Sequence, residues 1–259
     1  MWTDVVDLRD FYETSLGQMA GRVIRHRIRG IWPDLKGLRL LGLGYATPYL
    51  RGFRTEAERV LAIMPASQGV LHWPPEGPGL VTLADEADLP VPDNSIDRVL
   101  LIHALESSQQ LRLMLREIWR ILPSSGRLLA VVPNRRGIWA RLERTPFGHG
   151  HPFTQSQLSR LLRENMFTPV HSEAALFVPP SASRMMLAAA PAWEKLGNRW
   201  FQTFSGVILI EATKEVYAAT LARAKPAKRP LFAPISDGAL PAGGRAGRVV
   251  GSILKSGGL

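Results

Sequence analysis

The chain has 259 residues, 46% of them hydrophobic, with a formal charge of +10 and no cysteine. That length and apolar content suffice for one large core, or a core with a modest appendage, and exclude a wholly disordered chain. Without cysteine there are no disulfides, thiolate metal sites or cysteine nucleophiles. The basic excess favours contact with an anionic partner: RNA, a membrane surface or an acidic protein.

Residues 1–35 read as a basic helical segment. Leu8, Phe11, Tyr12, Leu16, Met19, Val23 and Ile24 recur at helical spacing over residues 8–29, with Gly17 and Gly21 as weak points. Arg22, Arg25, Arg27 and Arg29 crowd its end, where they are expected to complement the helix dipole and stay solvated, with an anion-binding face as the alternative. The N-terminus carries acids where a signal peptide would carry bases, and no apolar run of about 18 residues follows, so a cytoplasmic location is expected.

Leu38 to Leu43 form a short apolar strand that runs into Gly42-x-Gly44, where missing side chains permit a sharp turn. Thr47-Pro48 then reads as a helix start. Further strands are expected at Val60–Met64, Leu80–Leu83, Ile96–Ile102 and Arg127–Val132, with an irregular Pro/Gly-rich connection over residues 65–79. Residues 107–122 carry Leu111, Met114, Leu115, Ile118 and Leu122 along one stripe, which is an amphipathic helix. Thr154-x-x-Gln157 is a capping box that starts another. Phe167–Val178 and Gly206–Thr213 read as a closing hairpin, with a long insert whose Met185, Met186, Trp193 and Trp200 are expected to pack.

Strands alternating with crossovers give an α/β doubly wound, Rossmann-like fold: a mostly parallel seven-stranded sheet, helices on both faces and a closing antiparallel hairpin. Ligands in such folds bind at the carboxyl ends of the strands, where Gly44, Met64, Asp85 and His103 fall. The domain spans residues 36–216. From 217 to 259 the chain is Pro/Gly-rich, and from Thr220 it holds seven Lys/Arg against Asp237 alone, so this basic tail is expected to be disordered and to assist anion contact.

Three segments, LRLLGLGYATPYL, LADEADLPVPDNSIDRVLLIHALE and LREIWRILPSSGRLLAVVPN, resemble the class I S-adenosylmethionine-dependent methyltransferases, in particular the type 11 group. The resemblance covers about residues 36–214 and implies S-adenosylmethionine as cofactor. It implies that Gly42, Gly44, Tyr45 and Ala46 line its methionine and ribose, that Met64 sits at the ribose, and that Asp85 accepts from the adenine amino group with Glu86 beside it. Leu101 to His103 would flank the sulfonium. The motif is degenerate. Gly42 stands where the family has a first-strand acid, Ala46 and Pro48 where it has turn glycines, and Met64 where it has the ribose acid; Gln68, His72 or backbone groups would have to compensate.

Methyl transfer needs alignment and at most one general base. His103 is placed for that, with Glu106 one turn on. His149-Gly-His151 lacks a third ligand, and no metal is expected. The sequence therefore predicts a methyltransferase with an unidentified acceptor, small or lipid-like to suit the hydrophobic insert or an RNA or acidic protein to suit the basic surface, with a catalytically inactive methyltransferase-like binding or scaffold protein as the alternative. A nicotinamide oxidoreductase fits less well, because its dinucleotide turn wants an acid where Met64 stands and a small residue where Thr47 stands.

Overall fold

The computed structural model describes residues 4–200 and 202–216. One unit carries a seven-stranded sheet, β1 (Arg39–Gly44), β2 (Arg59–Pro65), β3 (Val81–Ala84), β4 (Arg98–Ile102), β5 (Arg127–Pro133), β6 (Phe167–Ala175) and β7 (Val207–Lys214). The strands lie in the order β3-β2-β1-β4-β5-β7-β6. The first five are parallel, while β7 runs antiparallel to both β5 and β6. The switch in strand order falls between β1 and β4, which makes their carboxyl ends the expected crevice.

The period-two alternation of the central strands explains why both faces are covered. Leu40, Leu100, Ile102, Leu129 and Val131 enter one apolar cluster, and Leu41, Leu43, Val99, Leu101, Leu128 and Ala130 enter the other. The second face is closed by α4 (Leu111–Ile121), through Met114, Leu115 and Ile118, and by α5 (Gln155–Glu164), through Leu158 and Leu162. The capping box of α5 forms as read: Thr154 accepts from Gln157 N and the Gln157 side chain accepts from Thr154 N.

The N-terminal segment is two helices, α1 (Val5–Glu13) and α2 (Ser15–Ile31). The break falls at Thr14, whose extended backbone (ψ 156°) and hydroxyl, accepting from Gly17 N at 3.0 Å, restart the helix. A Cβ at Gly17 would overlap the Phe11 carbonyl, so this glycine permits the bend. Phe11, Ile24 and Ile28 join the main core, so both helices pack on the sheet's apolar cluster. Three of the four arginines expected to stay solvated make tertiary contacts: Arg25 donates to Pro48 O, Arg29 pairs with Glu56 through two bonds of 2.5 and 2.7 Å, and Arg27 lies 3.6 Å from Glu194.

The insert between β6 and β7 holds α6 (Arg184–Ala188) and α7 (Ala190–Trp200). The expectation that its large side chains pack is corrected, since Met185 is 78%, Trp193 37% and Trp200 68% exposed. Among the described residues no helix is long and apolar enough to cross a membrane. The tail expected to be disordered, 217–259, lies outside the described residues.

Candidate functional site

The carboxyl edge of the sheet is built where β1 turns into α3 (Thr47–Leu50). Gly44 adopts φ +82°, and a Cβ there would overlap the Ile102 carbonyl oxygen, so the close approach of β1 to the end of β4 requires glycine. Gly42 has a different role from the one expected. A Cβ at Gly42 would come within 2.7 Å of Ala46 Cβ and Leu50 Cδ1, so the space beside Gly42 is filled by the seating of α3. Ala46 is fully buried in that contact, and Leu101 is buried in the cluster beneath α4. Gly42, Ala46 and Leu101 thus pack internally in this structure.

The remaining edge residues meet under α1. Val5 and Leu8 pack on Tyr45 and Met64, which are 6% and 1% exposed, and Val5 N donates to Gln68 O at 2.8 Å. Tyr12 stacks on Tyr45 with ring centroids 5.6 Å apart. Its hydroxyl lies 2.8 Å from His103 Nε2 and accepts from the Tyr49 hydroxyl at 2.8 Å. Because that hydroxyl's own proton must then go to Nε2, His103 carries its proton on Nδ1, which donates to Glu106 Oε1 at 3.1 Å. A buried chain Tyr49–Tyr12–His103–Glu106 results. Burial first, then the neighbouring Tyr49, raises the Tyr12 pKa well above that of an ordinary phenol; burial also raises Tyr49 and brings Tyr45 to about 12. His103 itself sits at φ 51°, an uncommon conformation for a residue with a side chain, held by the surrounding bonds.

Two buried acceptor atoms flank this histidine without any donor among the described residues, Gln68 Oε1 and Glu106 Oε2. The Gln68 amide nitrogen donates to His103 O, and to Ser107 Oγ at 2.9 Å, which fixes its oxygen in place. Buried polar groups left unpaired are uncommon and costly, so a pair of them at one edge marks a place where a ligand's donors would be accepted.

The two acids after β3 separate. Asp85 is exposed and its Oδ1 accepts from Ala87 N at 2.9 Å. Glu86, read beside the adenine, instead caps the approach to α4: its Oε1 accepts from Ser108 Oγ, Gln109 N and Gln110 N at 2.8, 3.1 and 2.8 Å. His149 Nε2 lies 2.5 Å from Glu143 O, while the backbone amide of His151 donates to Glu106 O at 2.7 Å. Tyr12 and Val5 were missed as site residues. Tyr12 looked like one more apolar position on a stripe, although a buried tyrosine hydroxyl needs a partner and so does a lone buried histidine.

Residues 41–130 match the family described as "Methyltransferase domain". Among solved structures, the fold resembles a methyltransferase from Thermotoga maritima that depends on S-adenosylmethionine, with TM-score 0.57 and 15% identity over 83% of this chain and 98% of that one. It also resembles the structure of the Haloferax volcanii methyltransferase in complex with the activator Trm112, with TM-score 0.56 and 16% identity over 81% and 98%. The [4+2]-cyclase SpnF aligns with TM-score 0.51 and 22% identity over 77% and 83%. A search of curated proteins found no match. Residues 41–130 thus match a methyltransferase domain, and the seven-stranded sheet has the fold of the methyltransferases it resembles.

Proposed function

We propose that the chain is a methyltransferase whose S-adenosylmethionine site lies beneath α1 and opens when that helix moves away. The observation that carries this reading is the pair of orphaned acceptors, Gln68 Oε1 and Glu106 Oε2, around His103 at the switch point of the sheet. The cofactor offers an amino group and two ribose hydroxyls, all donors, so the acceptor chemistry of the edge fits it. The apolar Met64 does not replace a ribose-binding acid, and Gln68 is the polar group available at the end of β2. With α1 displaced, Gly44 would give backbone access, Gln68 and Glu106 would accept from the ligand, and Asp85 would hold the adenine end.

When bound, the cofactor supplies a methyl group on a sulfonium. The chain's own contribution is orientation and, at His103, a proton site. Glu106 fixes the imidazole with its proton on Nδ1, which leaves Nε2 as an acceptor once the Tyr12 hydroxyl withdraws. The methyl acceptor is a small or lipid-like molecule that approaches over Phe147, whose ring lies 5.1 Å from that of His103.

A second reading, a binding or scaffold protein without catalysis, is favoured by one observation. Tyr12 already occupies the hydrogen-bonding position of His103 that a substrate would need. Calorimetry with S-adenosylhomocysteine separates the two. Saturable heat, weakened by Asp85→Ala, supports the methyltransferase; no heat at millimolar ligand in the wild type supports the scaffold.

A further inference from the structure

Of thirteen large hydrophobic residues exposed among the described residues, five lie between 185 and 204, and these include all three exposed aromatics. On α7, Trp193, Leu196 and Trp200 are spaced i, i+3, i+7 and so share one helix face, 37%, 50% and 68% exposed. The neighbouring face is buried, with Ala190 in the core and Gly197 against the Phe177 ring. Met185 on α6 and Phe204, in the short turn after α7, add 78% and 57% exposed apolar ends. Scattered exposed leucines are ordinary, but a ridge holding two tryptophans and a phenylalanine on one short insert is not.

The exposed charges of the insert have one sign. Arg184, Lys195 and Arg199 are exposed, and Lys195 and Arg199 stand at i, i+4 beside the Trp193–Trp200 stripe. Its one acid, Glu194, is turned inward, accepting from Phe177 N at 2.7 Å and facing Arg27 at 3.6 Å. On the other side of α7, a groove of about 640 Å³ against α2 has Met19, Val23 and Leu187 on its walls, with Arg22, His26 and Lys195 among its lining. A helix with tryptophans on one side and lysine and arginine beside them, in a chain of net charge +10, suits the headgroup boundary of an anionic bilayer better than a neutral or acidic surface.

We infer that the β6–β7 insert is a membrane-docking surface, seating Trp193, Leu196, Trp200 and Phe204 among the headgroups of an anionic leaflet while Arg184, Lys195 and Arg199 meet lipid phosphates. The insert begins and ends at the same edge of the sheet as the candidate site, since β7 starts at Val207 opposite Pro133 at the end of β5. It is also tied to that site. Trp139 Nε1 donates to Val178 O at 2.8 Å, the Trp139 ring meets Phe147 at 5.4 Å, and Phe147 meets His103. Docking there would bring a membrane-borne acceptor to the site proposed above, but the docking itself does not depend on that reading and is measured without cofactor.

The test uses the full chain and vesicles of phosphatidylcholine with or without phosphatidylglycerol, some carrying brominated acyl chains. The wild type is expected to co-sediment with anionic vesicles, to retain part of that binding at about 0.5 M salt, where screening removes most electrostatic attraction, and to show tryptophan quenching by bromine. Trp193→Ser/Leu196→Ser/Trp200→Ser should lower binding by at least ~10-fold through lost apolar burial and abolish the quenching. Lys195→Glu/Arg199→Glu, which leaves the ridge in place, should weaken binding to anionic vesicles alone. Circular dichroism melts confirm that both variants fold. The proposal is overturned if the wild type shows no quenching, if the triple variant binds as well as the wild type, or if sedimentation velocity shows that the ridge pairs two copies of the chain instead.

Discussion

Tyr12→Phe isolates the latch between α1 and the sheet edge. The substitution keeps the ring that stacks on Tyr45 but removes one hydroxyl, which in the closed form accepts from Tyr49 and donates to His103 Nε2, both at 2.8 Å. Two buried groups lose their partner. Leaving a buried polar group unpaired costs about 1–3 kcal/mol, whereas in the open form His103 and Tyr49 meet water and lose little. The difference falls on the closed state, so even one such penalty raises the open fraction by roughly 5- to 150-fold. Apparent affinity for a ligand that needs the open form rises by the same factor until that form dominates. Calorimetry with S-adenosylhomocysteine should show tighter binding for the variant even though its thermal midpoint falls. If affinity is unchanged, or falls together with the midpoint, α1 does not compete with the ligand and Tyr12 belongs to the floor of the site.

Met64→Asp, which places a carboxylate at the end of β2, should cost about 2–5 kcal/mol, because Met64 is 1% exposed among Val5, Leu8 and Tyr45 and the new carboxylate would have no partner. Chemical denaturation measures this, and an unchanged midpoint with tighter cofactor binding would show instead that the pocket still has room for the acid. Glu86→Ala should cost about 1–3 kcal/mol by freeing the three donors it serves before α4. Asp85→Ala should stay within about 0.5 kcal/mol of wild type yet weaken S-adenosylhomocysteine about 10-fold, and the reverse pattern would exchange the two roles. Raising the pH should destabilise the fold from about pH 10. Burial holds Tyr45 protonated to about 12 and also raises Tyr12 and Tyr49, so the unfolded chain releases protons that the folded one retains, and stability is lost as pH rises through this window. Urea midpoints at pH 8, 10 and 11 should fall less steeply for Tyr12→Phe.

Strands β1, β2, β3 and β5 were legible because they are short runs closed by Gly, Pro or Asp, and the start of α5 because the capping box at Thr154 is a local signal that needs no tertiary context. The break at Thr14 was not. Its cause is the approach of Gly17 to the Phe11 carbonyl, and the apolar stripe continues across it at nearly helical spacing. Within the site, the edge placement of Met64, Asp85 and His103 follows from strand ends, but the inward turn of Glu86 depends on where the approach to α4 lies, which spacing along the chain does not encode. Gly42 read as a lost acid, although the physical reason is positive: Ala46 and Leu50 fill the space. The insert misled in the opposite direction. Its tryptophans and methionines have the composition of a core, and only their placement on the outer face of α7 and the end of α6 shows them to be surface.

The central claim, that α1 covers the cofactor site and leaves it on binding, is tested most directly by hydrogen exchange over residues 5–13 with and without saturating S-adenosylhomocysteine. Without ligand these amides should be protected, since Val5 N is bonded to Gln68 O and Leu8, Phe11 and Tyr12 pack against the edge and the core. Ligand should raise exchange across α1 while protecting the end of β4 around Ile102 and His103. Saturable binding that leaves α1 equally or more protected would contradict the account.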